Sequence, residues 1–486
     1  MDKKLIIPDR RDMYLAIGMV LCGFFFWECG LISYESSIGK AVFTIVICGV
    51  SGSYLYANGL RQSKKSLISL ALMAVLGISF ILFSGRTEHA VTLPVLAALY
   101  LYWVALTCGQ TMDGKLSLYV LGDMLKQGGV IPFVNYETCP IVIVKSSKGK
   151  GGKSILLVVV GIAIAIPLVI TALILLSAAD ESFNMLVGKV LNQISWRWLE
   201  YLAEFILGIP LAFYLFGQAY GNVKGDKQET MNKKSLSKFA RALAKFPPLI
   251  GTTILACLNV IYIAFLGVQI THVVKGLPKD MSYSEFARQG FFQLCDVVVL
   301  NLVLVIAIGL LYKRKGRAKK LVRIQMALMS LLTIGITFTA LAKMFMYIDV
   351  YGLTQLRIYT SVFMAFLVIV FLSIGVYQFK HFNIGMLICI AGLVILIAFN
   401  YAGVDRTIAK YNISRFEKGS LGMMDEKLMY SLGDGATPEL YKFWKKTGDA
   451  KVAEVLEGLP ADSGWCSWSV ERELANRARD KYRKEK

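Results

Sequence analysis

The hydrophobic positions of this chain fall into blocks of about twenty residues separated by polar segments. A helix rises about 1.5 Å per residue, so each block can cross a hydrocarbon layer of about 30 Å. Lipid admits only elements that satisfy their own backbone hydrogen bonds. The pattern predicts an all-α, polytopic membrane bundle of about eleven spans, at roughly 13–32, 38–60, 66–84, 89–108, 154–179, 196–218, 247–271, 291–312, 323–347, 357–377 and 382–402.

The pattern changes after residue 402. The tail at 403–486 carries 16 Lys/Arg and 14 Asp/Glu, and its helix-forming runs lie at 437–457 and 467–486. Such a nearly neutral, mixed composition is typical of a soluble surface rather than of a membrane span. We therefore predict two domains, a membrane bundle at 1–402 and a small helical C-terminal domain at 403–486.

Composition and charge agree with a membrane protein. The chain is 56% hydrophobic and 18% charged, with a formal net charge of +20. The polar segments between the predicted spans lie alternately on the two sides of the membrane. Without the tail, the segments on one side hold 28 Lys/Arg and those on the other side hold 6. The positive-inside rule then predicts a cytoplasmic N-terminus and, after an odd number of spans, a C-terminus outside. Because the excess lies in short loops, we expect no nucleic-acid partner.

The residues that usually carry metal or cofactor chemistry are sparse. Three histidines argue against a histidine-based metal centre, and the nine cysteines show no paired framework. The Gly152-Lys153-Ser154 sequence resembles the end of a phosphate loop, but Ser147 stands where that loop needs glycine. We predict no metal, no cofactor and no catalytic residues, and membrane lipids as partners.

Ionisable residues inside the spans cluster in their predicted outer halves. Charges within a bilayer are costly and usually face a protein interior or a wet cavity. The Ser282-to-Glu285 spacing is that of a capping box, which would begin a helix running into the 291–312 span. On that helix Glu285, Arg288 and Asp296 share one stripe, and Lys343 lies at a depth that would let it pair with Asp296.

A second segment, 351–360, joins two spans at the same outer level and contributes Arg357 and Tyr359. The candidate binding residues are Glu285, Arg288, Asp296, Lys343, Arg357 and Tyr359. Two interpretations stay open for them. They form either a site for a ligand or ion, or a satisfied polar network that holds helices together.

Three blocks in the second half of the chain resemble a known family. They are residues 283–294, residues 351–360, and Asn412 together with the Gly433-to-Pro438 stretch. In these blocks the chain is similar to a bacterial family known only as a domain of unknown function, number forty-one seventy-three, which has a sister family of the same kind. The resemblance implies a multi-pass protein of the bacterial cytoplasmic membrane and supplies no activity.

Three classes of function are compatible with these patterns. The first is a membrane regulator or envelope-associated binding protein, whose outer polar cluster and tail recognise an envelope component. The second is a small-solute transporter, although the inverted repeats common in carriers are not evident and midplane polar residues reduce to a few such as Asn259 and Asn301. The third is an enzyme acting on a lipid-linked envelope substrate, which the sequence favours least.

Overall fold

The described part of the computed structural model is helical and contains no strand. It comprises residues 9–29, 36–146, 175–193, 196–225, 247–275, 290–311, 317–459 and 464–486, with residue 238 and scattered positions between 161 and 173. This confirms the predicted all-α class. The bundle helices are α1 (Arg10–Glu28), α2 (Ile38–Ala57), α3 (Lys64–Leu82), α4 (Arg86–Thr107), α5 (Val120–Met124), α6 (Ile131–Val134), α7 (Thr138–Ser146), α8 (Glu181–Gln193), α9 (Trp196–Val223), α10 (Pro248–Lys275), α11 (Phe291–Leu311), α12 (Arg317–Tyr351), α13 (Gln355–Tyr377) and α14 (Ile384–Asn400).

Eight of the described helices are long and apolar enough to cross a membrane. They lie in α2, α3, α4 and α9 to α13, and a ninth span is possible where α14 continues after a bend of 59° into the next helix, Val404–Glu417. The predicted span at 154–179 falls largely outside the described residues. Helix α1 is not among the eight; it has Arg10, Arg11 and Asp12 at one end and Glu28 at the other. The count of eleven spans stays a prediction.

The bundle has two apolar cores. Helices α1 to α4, α7 and α9 surround the first, which includes Phe80, Trp103 and Phe216. Helices α10 to α13 surround the second, which includes Met329 and Phe371. Helix α14 packs against both, because its residues 393–397 border the first core while Ile384 belongs to the second. The bundle therefore consists of a first and a second sub-bundle joined by α14.

A pair of glycines brings α1 against α9. A Cβ atom added at Gly23 would lie 2.3 Å from the Gly208 carbonyl oxygen, and one added at Gly208 would lie 2.6 Å from the Gly23 carbonyl carbon. Small residues at a crossing point let two membrane helices approach closely enough for extensive backbone packing. This close crossing places α1 within the first sub-bundle.

The tail helices are α15 (Val404–Glu417), α16 (Glu426–Ser431), α17 (Thr437–Thr447), α18 (Ala450–Gly458) and α19 (Val470–Glu485), with 3-10 turns at Gly433–Gly435 and Trp465–Ser467. Asp425, Asp449 and Ser469 cap the N-termini of α16, α18 and α19 by accepting backbone N–H bonds. The tail core includes Ile408, Leu440 and Tyr482, and bundle residues such as Leu353 and Phe399 extend it. The tail therefore packs directly onto the bundle, and the domain boundary at 402/403 stays a prediction.

Candidate functional site at the junction of bundle and tail

The tail contacts the bundle at one end only among the described residues. Its partners are the C-terminal ends of α1, α3, α12 and α14 and the N-terminal ends of α2, α4 and α13. These are the helix ends that the loop charges predict to lie outside the cell. The contacts form two groups, one on each sub-bundle.

The group on the second sub-bundle is built around Gly352 and Asn412. Gly352 follows α12 with a φ of +77°, in the left-handed region that favours glycine. The Asn412 amide of α15 accepts from the Leu353 N–H and donates to the Leu353 carbonyl, both at 2.8 Å. A Cβ atom at position 352 would lie 2.6 Å from the Asn412 Oδ1. Glycine is thus required here both for its backbone conformation and for the close approach of Asn412.

Two further polar contacts support the same joint. The Gln355 amide donates to the Asp405 carboxylate at 2.5 Å. Arg415, near the end of α15, pairs with Asp349 of α12 at 2.6 Å. Both contacts join α15 to the turn between α12 and α13, so this turn is fixed by three tail side chains.

Arg357 and Tyr359 lie in this joint rather than in an open site. The Arg357 guanidinium stacks over the Tyr347 ring, 4.2 Å from its centroid, and donates to the carbonyls of Tyr351 and Gly352. A cation at these carbonyls stabilises the C-terminus of α12. The Tyr359 ring meets Phe399 edge to face at 5.1 Å, beside the tail core.

The group on the first sub-bundle is centred on Glu471 of α19. Its carboxylate accepts from the Ser84 N–H and from the Ser84 hydroxyl, both at 2.9 Å. Burial raises the pKa of Glu471, and this outweighs the two hydrogen bonds, which lower it. At the start of α2, the Lys40 ammonium donates to the Ser36 carbonyl at 2.7 Å and lies 3.4 Å from the His89 Nδ1. The His89 Nε2 in turn lies 3.2 Å from the carbonyl oxygen of Phe83, the residue before Ser84. Buried ionisable groups therefore concentrate at this contact.

The remaining predicted binding residues do not converge with these groups. Asp296 is exposed on the surface of α11 and forms no ion pair among the described residues, so the expected pairing with Lys343 is not made. Lys343 is buried, and its ammonium lies near Gly290. Glu285, Arg288 and the Ser282 capping box fall outside the described residues. The use of these residues as a binding site stays a prediction.

The two midplane asparagines considered for transport are bonded to neighbouring helices. The Asn259 amide donates to the Gln325 side chain at 2.6 Å. Asn301 accepts from the Tyr262 hydroxyl at 2.7 Å and donates to the Thr333 hydroxyl at 3.0 Å. Both therefore serve as links between helices of the second sub-bundle.

The sequence patterns did not predict a cleft that lies on α15. It has a volume of about 480 Å³ and is lined by Thr407, Lys410, Tyr411, Ser414, Arg415, Lys418 and Ser420. The spacing of three and four residues places the helical members on one face, opposite the buried Ile408, Asn412 and Ile413. Basic and hydroxyl side chains do recur at this spacing in the sequence. The total charge of the tail is nearly neutral, however, so it gave no sign of this basic face.

The cationic side chains of the cleft differ in whether they are bonded to other side chains. Arg415 is held by Asp349, by the Tyr411 hydroxyl at 3.1 Å and by the Ser420 hydroxyl at 3.1 Å. Lys410 and Lys418 form no ion pair with any described residue. Two unpaired ammonium groups beside hydroxyl donors present the chemistry that binds an anionic group such as a phosphate.

The block at 433–438 has a structural role inside the tail. The Asp434 carboxylate binds Arg472 and Arg479 of α19, each at 2.8 Å, and all three side chains are largely buried. A carboxylate shared by two guanidinium groups fixes α19 against the 3-10 turn at Gly433–Gly435. Since α19 also carries Glu471, this ion triad positions the contact with Ser84.

Fold and junction together define a multi-pass helical membrane protein whose C-terminal helices dock on one end of its bundle. The chain belongs to the family described as Domain of unknown function (DUF4153), whose model matches residues 44–443. This confirms the resemblance to a family of unknown function, and the matching number is forty-one fifty-three rather than forty-one seventy-three. The match includes the joint at Gly352 and Asn412 and the cleft on α15. No curated protein and no solved structure matches this chain.

Proposed function

We propose that the protein is an envelope-associated binding protein that recognises the phosphate of an anionic lipid headgroup in the cleft on α15. The supporting observation is the stripe of Lys410, Arg415 and Lys418 interleaved with hydroxyl groups along one helix face. Phosphate oxygens accept hydrogen bonds from ammonium, guanidinium and hydroxyl donors together. On this proposal Arg415 and Asp349 set the shape of the cleft, while Lys410 and Lys418 supply the charge.

The position of α15 favours a lipid as the source of that phosphate. Helix α15 begins four residues after α14 ends and departs from it at 59°, so it starts beside the end of a predicted span. A basic helix face next to a membrane attracts anionic headgroups, with about 1 kcal/mol for each Lys or Arg near the surface. The proposal requires the tail to face the outer leaflet, as the loop charges predict.

The experiment measures, by native mass spectrometry of the full chain in detergent, how strongly wild-type and variant proteins retain two different lipids. We expect wild-type protein to retain phosphatidylglycerol in preference to phosphatidylcholine. Removing Lys410 and Lys418 together should weaken phosphatidylglycerol retention about 25-fold, from about fivefold for each charge. Lys427 and Lys481 are exposed lysines elsewhere on the tail, so Lys427→Ala with Lys481→Ala is the matched control for lost charge.

Three results would contradict the proposal. The first is equal retention of the two lipids by wild-type protein. The second is an equal loss in the control pair, which would reduce the effect to general charge. The third is complete displacement of phosphatidylglycerol by millimolar inorganic phosphate, which would point to a free anion rather than a lipid headgroup.

A further inference from the structure

Two cysteines that are far apart in the sequence meet where the tail touches α1. Cys29 follows the last residue of α1, is buried, and donates its backbone N–H to the Phe25 carbonyl. Cys466 lies in the 3-10 turn Trp465–Ser467 of the tail, with its sulfur 3.8 Å from the Glu28 carbonyl oxygen. The Glu28 carbonyl carbon is bonded to the Cys29 nitrogen, so the Cys466 sulfur lies next to the Cys29 backbone, and Cys29 acts on the pKa of the Cys466 thiol.

The backbone around both cysteines is fixed by the start of α2. The Ser37 N–H donates to the Cys466 carbonyl at 2.9 Å, and the Ile38 N–H donates to the Trp468 carbonyl at 3.2 Å. On the other side, Gly39 packs against Cys29 so closely that an added Cβ atom would lie 3.1 Å from the Cys29 Cβ. The closeness of the two cysteines therefore follows from main-chain packing on both sides.

We propose that Cys29 and Cys466 form a disulfide bond that fastens the tail to the first helix. The two thiols lose two electrons and two protons as the S–S bond forms. The acceptor is a protein disulfide of the compartment outside the membrane, which is reduced to a dithiol by exchange. The loop charges place this end of the bundle outside, where disulfides form and persist. The proposal does not depend on the cleft on α15.

The surroundings of Cys466 indicate when this bond would form. Burial has the largest effect on the pKa of Cys466 and raises it, as do the nearby Glu28 and Glu204 carboxylates, whereas the hydrogen bond from Cys29 lowers it. A raised pKa leaves little thiolate for exchange once the tail is docked. Oxidation should therefore accompany docking, before the packing encloses the thiols.

The test counts free thiols in the full chain from aerobically grown cells. Membranes are quenched in acid, denatured, and treated with a polyethylene-glycol maleimide with or without prior reduction. Because the chain has nine cysteines, wild-type protein should take up seven labels before reduction and nine after it. Cys29→Ser should take up eight labels in both conditions. Cys257 is exposed and distant in sequence, so Cys257→Ser is the control, with six labels before reduction and eight after.

The proposal is overturned if unreduced wild-type protein takes up nine labels, or if the gain of two labels on reduction persists in the Cys29→Ser, Cys466→Ser double variant. A tryptic peptide pair linked through Cys29 and Cys466, found by mass spectrometry of wild-type protein, supports it without any substitution. This second measurement keeps the test decisive even if a variant fails to fold.

A sidedness measurement separates the chemistry from the topology. An impermeant thiol reagent should reach a Lys427→Cys variant on intact cells, since Lys427 is exposed on α16. Native Cys466 should react only after reduction. If Lys427→Cys is labelled only after cell lysis, the tail lies in the cytoplasm and the disulfide proposal falls with it.

Discussion

The two sub-bundles bury different kinds of polar group. The first encloses charged side chains at both ends, with Asp12 at one end and Lys40 beside His89 at the other. The second encloses mainly amides and hydroxyls, such as Asn301 and Thr333, although Lys343 is also buried. Buried charges require specific partners, whereas amides and hydroxyls can satisfy one another between neighbouring helices. The first sub-bundle should therefore depend more on single ion pairs.

The same difference recurs where the tail docks. Its contact with the first sub-bundle is centred on the buried Glu471 carboxylate, while its contact with the second is centred on the neutral Asn412 amide, with the Asp405 carboxylate and the Arg415–Asp349 ion pair beside it. A carboxylate responds to pH and an amide does not. The tail thus joins the two sub-bundles through chemically distinct contacts that experiments can separate.

The largest expected effect is the loss of the buried carboxylate of Asp12. It is fully buried, lies 2.8 Å from the Lys224 ammonium, and accepts from the Tyr54 hydroxyl at 2.8 Å. Asp12→Ala leaves both partners without an acceptor. Because Lys224 is partly exposed and can reach water, we expect a loss of about 2–3 kcal/mol in unfolding free energy, measured by denaturation in detergent.

Asp12→Asn is the matched control for this prediction. It keeps one oxygen, which can still accept from the Tyr54 hydroxyl, but it places an NH2 group where the second oxygen accepts from the Asp9 N–H and removes the charge facing Lys224. The loss should be smaller than that of Asp12→Ala, since the bond from Tyr54 is kept. Equal stability of Asp12→Ala and wild type would show that the first sub-bundle does not rely on this pair.

A smaller effect is expected from Asn301 in the second sub-bundle. Asn301→Leu removes its bonds to Tyr262 and Thr333 but keeps a side chain of similar size. Hydrogen bonds between membrane helices contribute about 0.6 kcal/mol on average, so the loss should be about 1 kcal/mol for the two. The measurement is the same unfolding series as for Asp12. A loss larger than that of Asp12→Ala would reverse the comparison between the sub-bundles.

The positions of many helices could be predicted from the sequence, because a membrane helix is recognisable as a long apolar segment. The predicted spans at 291–312 and 357–377 correspond to α11 and α13 within two residues. What the pattern could not give was the grouping into two cores. Every span is apolar on nearly all sides, so hydrophobicity carries little information about which helices are neighbours. Close approaches such as Gly23 on Gly208 become evident only in three dimensions.

The partners of the candidate residues could not be predicted from the sequence. Asp296 lies near the start of α11 and is exposed, whereas Lys343 lies in the last third of α12 and is buried. The position of a residue along a helix does not fix which side of the helix faces its neighbours. The segment at 351–360 lies in the joint with the tail, and its contacts there depend on Asn412, more than fifty residues later. The contact between Cys29 and Cys466 crosses nearly the whole chain, so no spacing rule could indicate it.

The smallest expected effect is a pH dependence of the contact between Glu471 and the first sub-bundle. Burial raises the pKa of Glu471 in the docked tail above the ordinary 4.5. The docked state therefore binds a proton more tightly than the released state. Docking should strengthen as pH falls from 7 toward 4.5, and it should weaken as pH rises through the raised pKa and level off above it.

The measurement is thermal unfolding at several pH values in that range, with reductant present so that no covalent link holds the tail. The groups acting on Glu471 are Ser84, Asp434 and Arg406. Glu471→Gln removes the titrating group and should flatten the difference between pH 5 and pH 7.5 relative to wild type. Asn412→Ala should lower the melting temperature equally at both values, because neither the Asn412 amide nor the Leu353 backbone groups that it binds titrate. An unchanged pH response in Glu471→Gln would assign the titration to another residue and remove the chemical distinction between the two contacts.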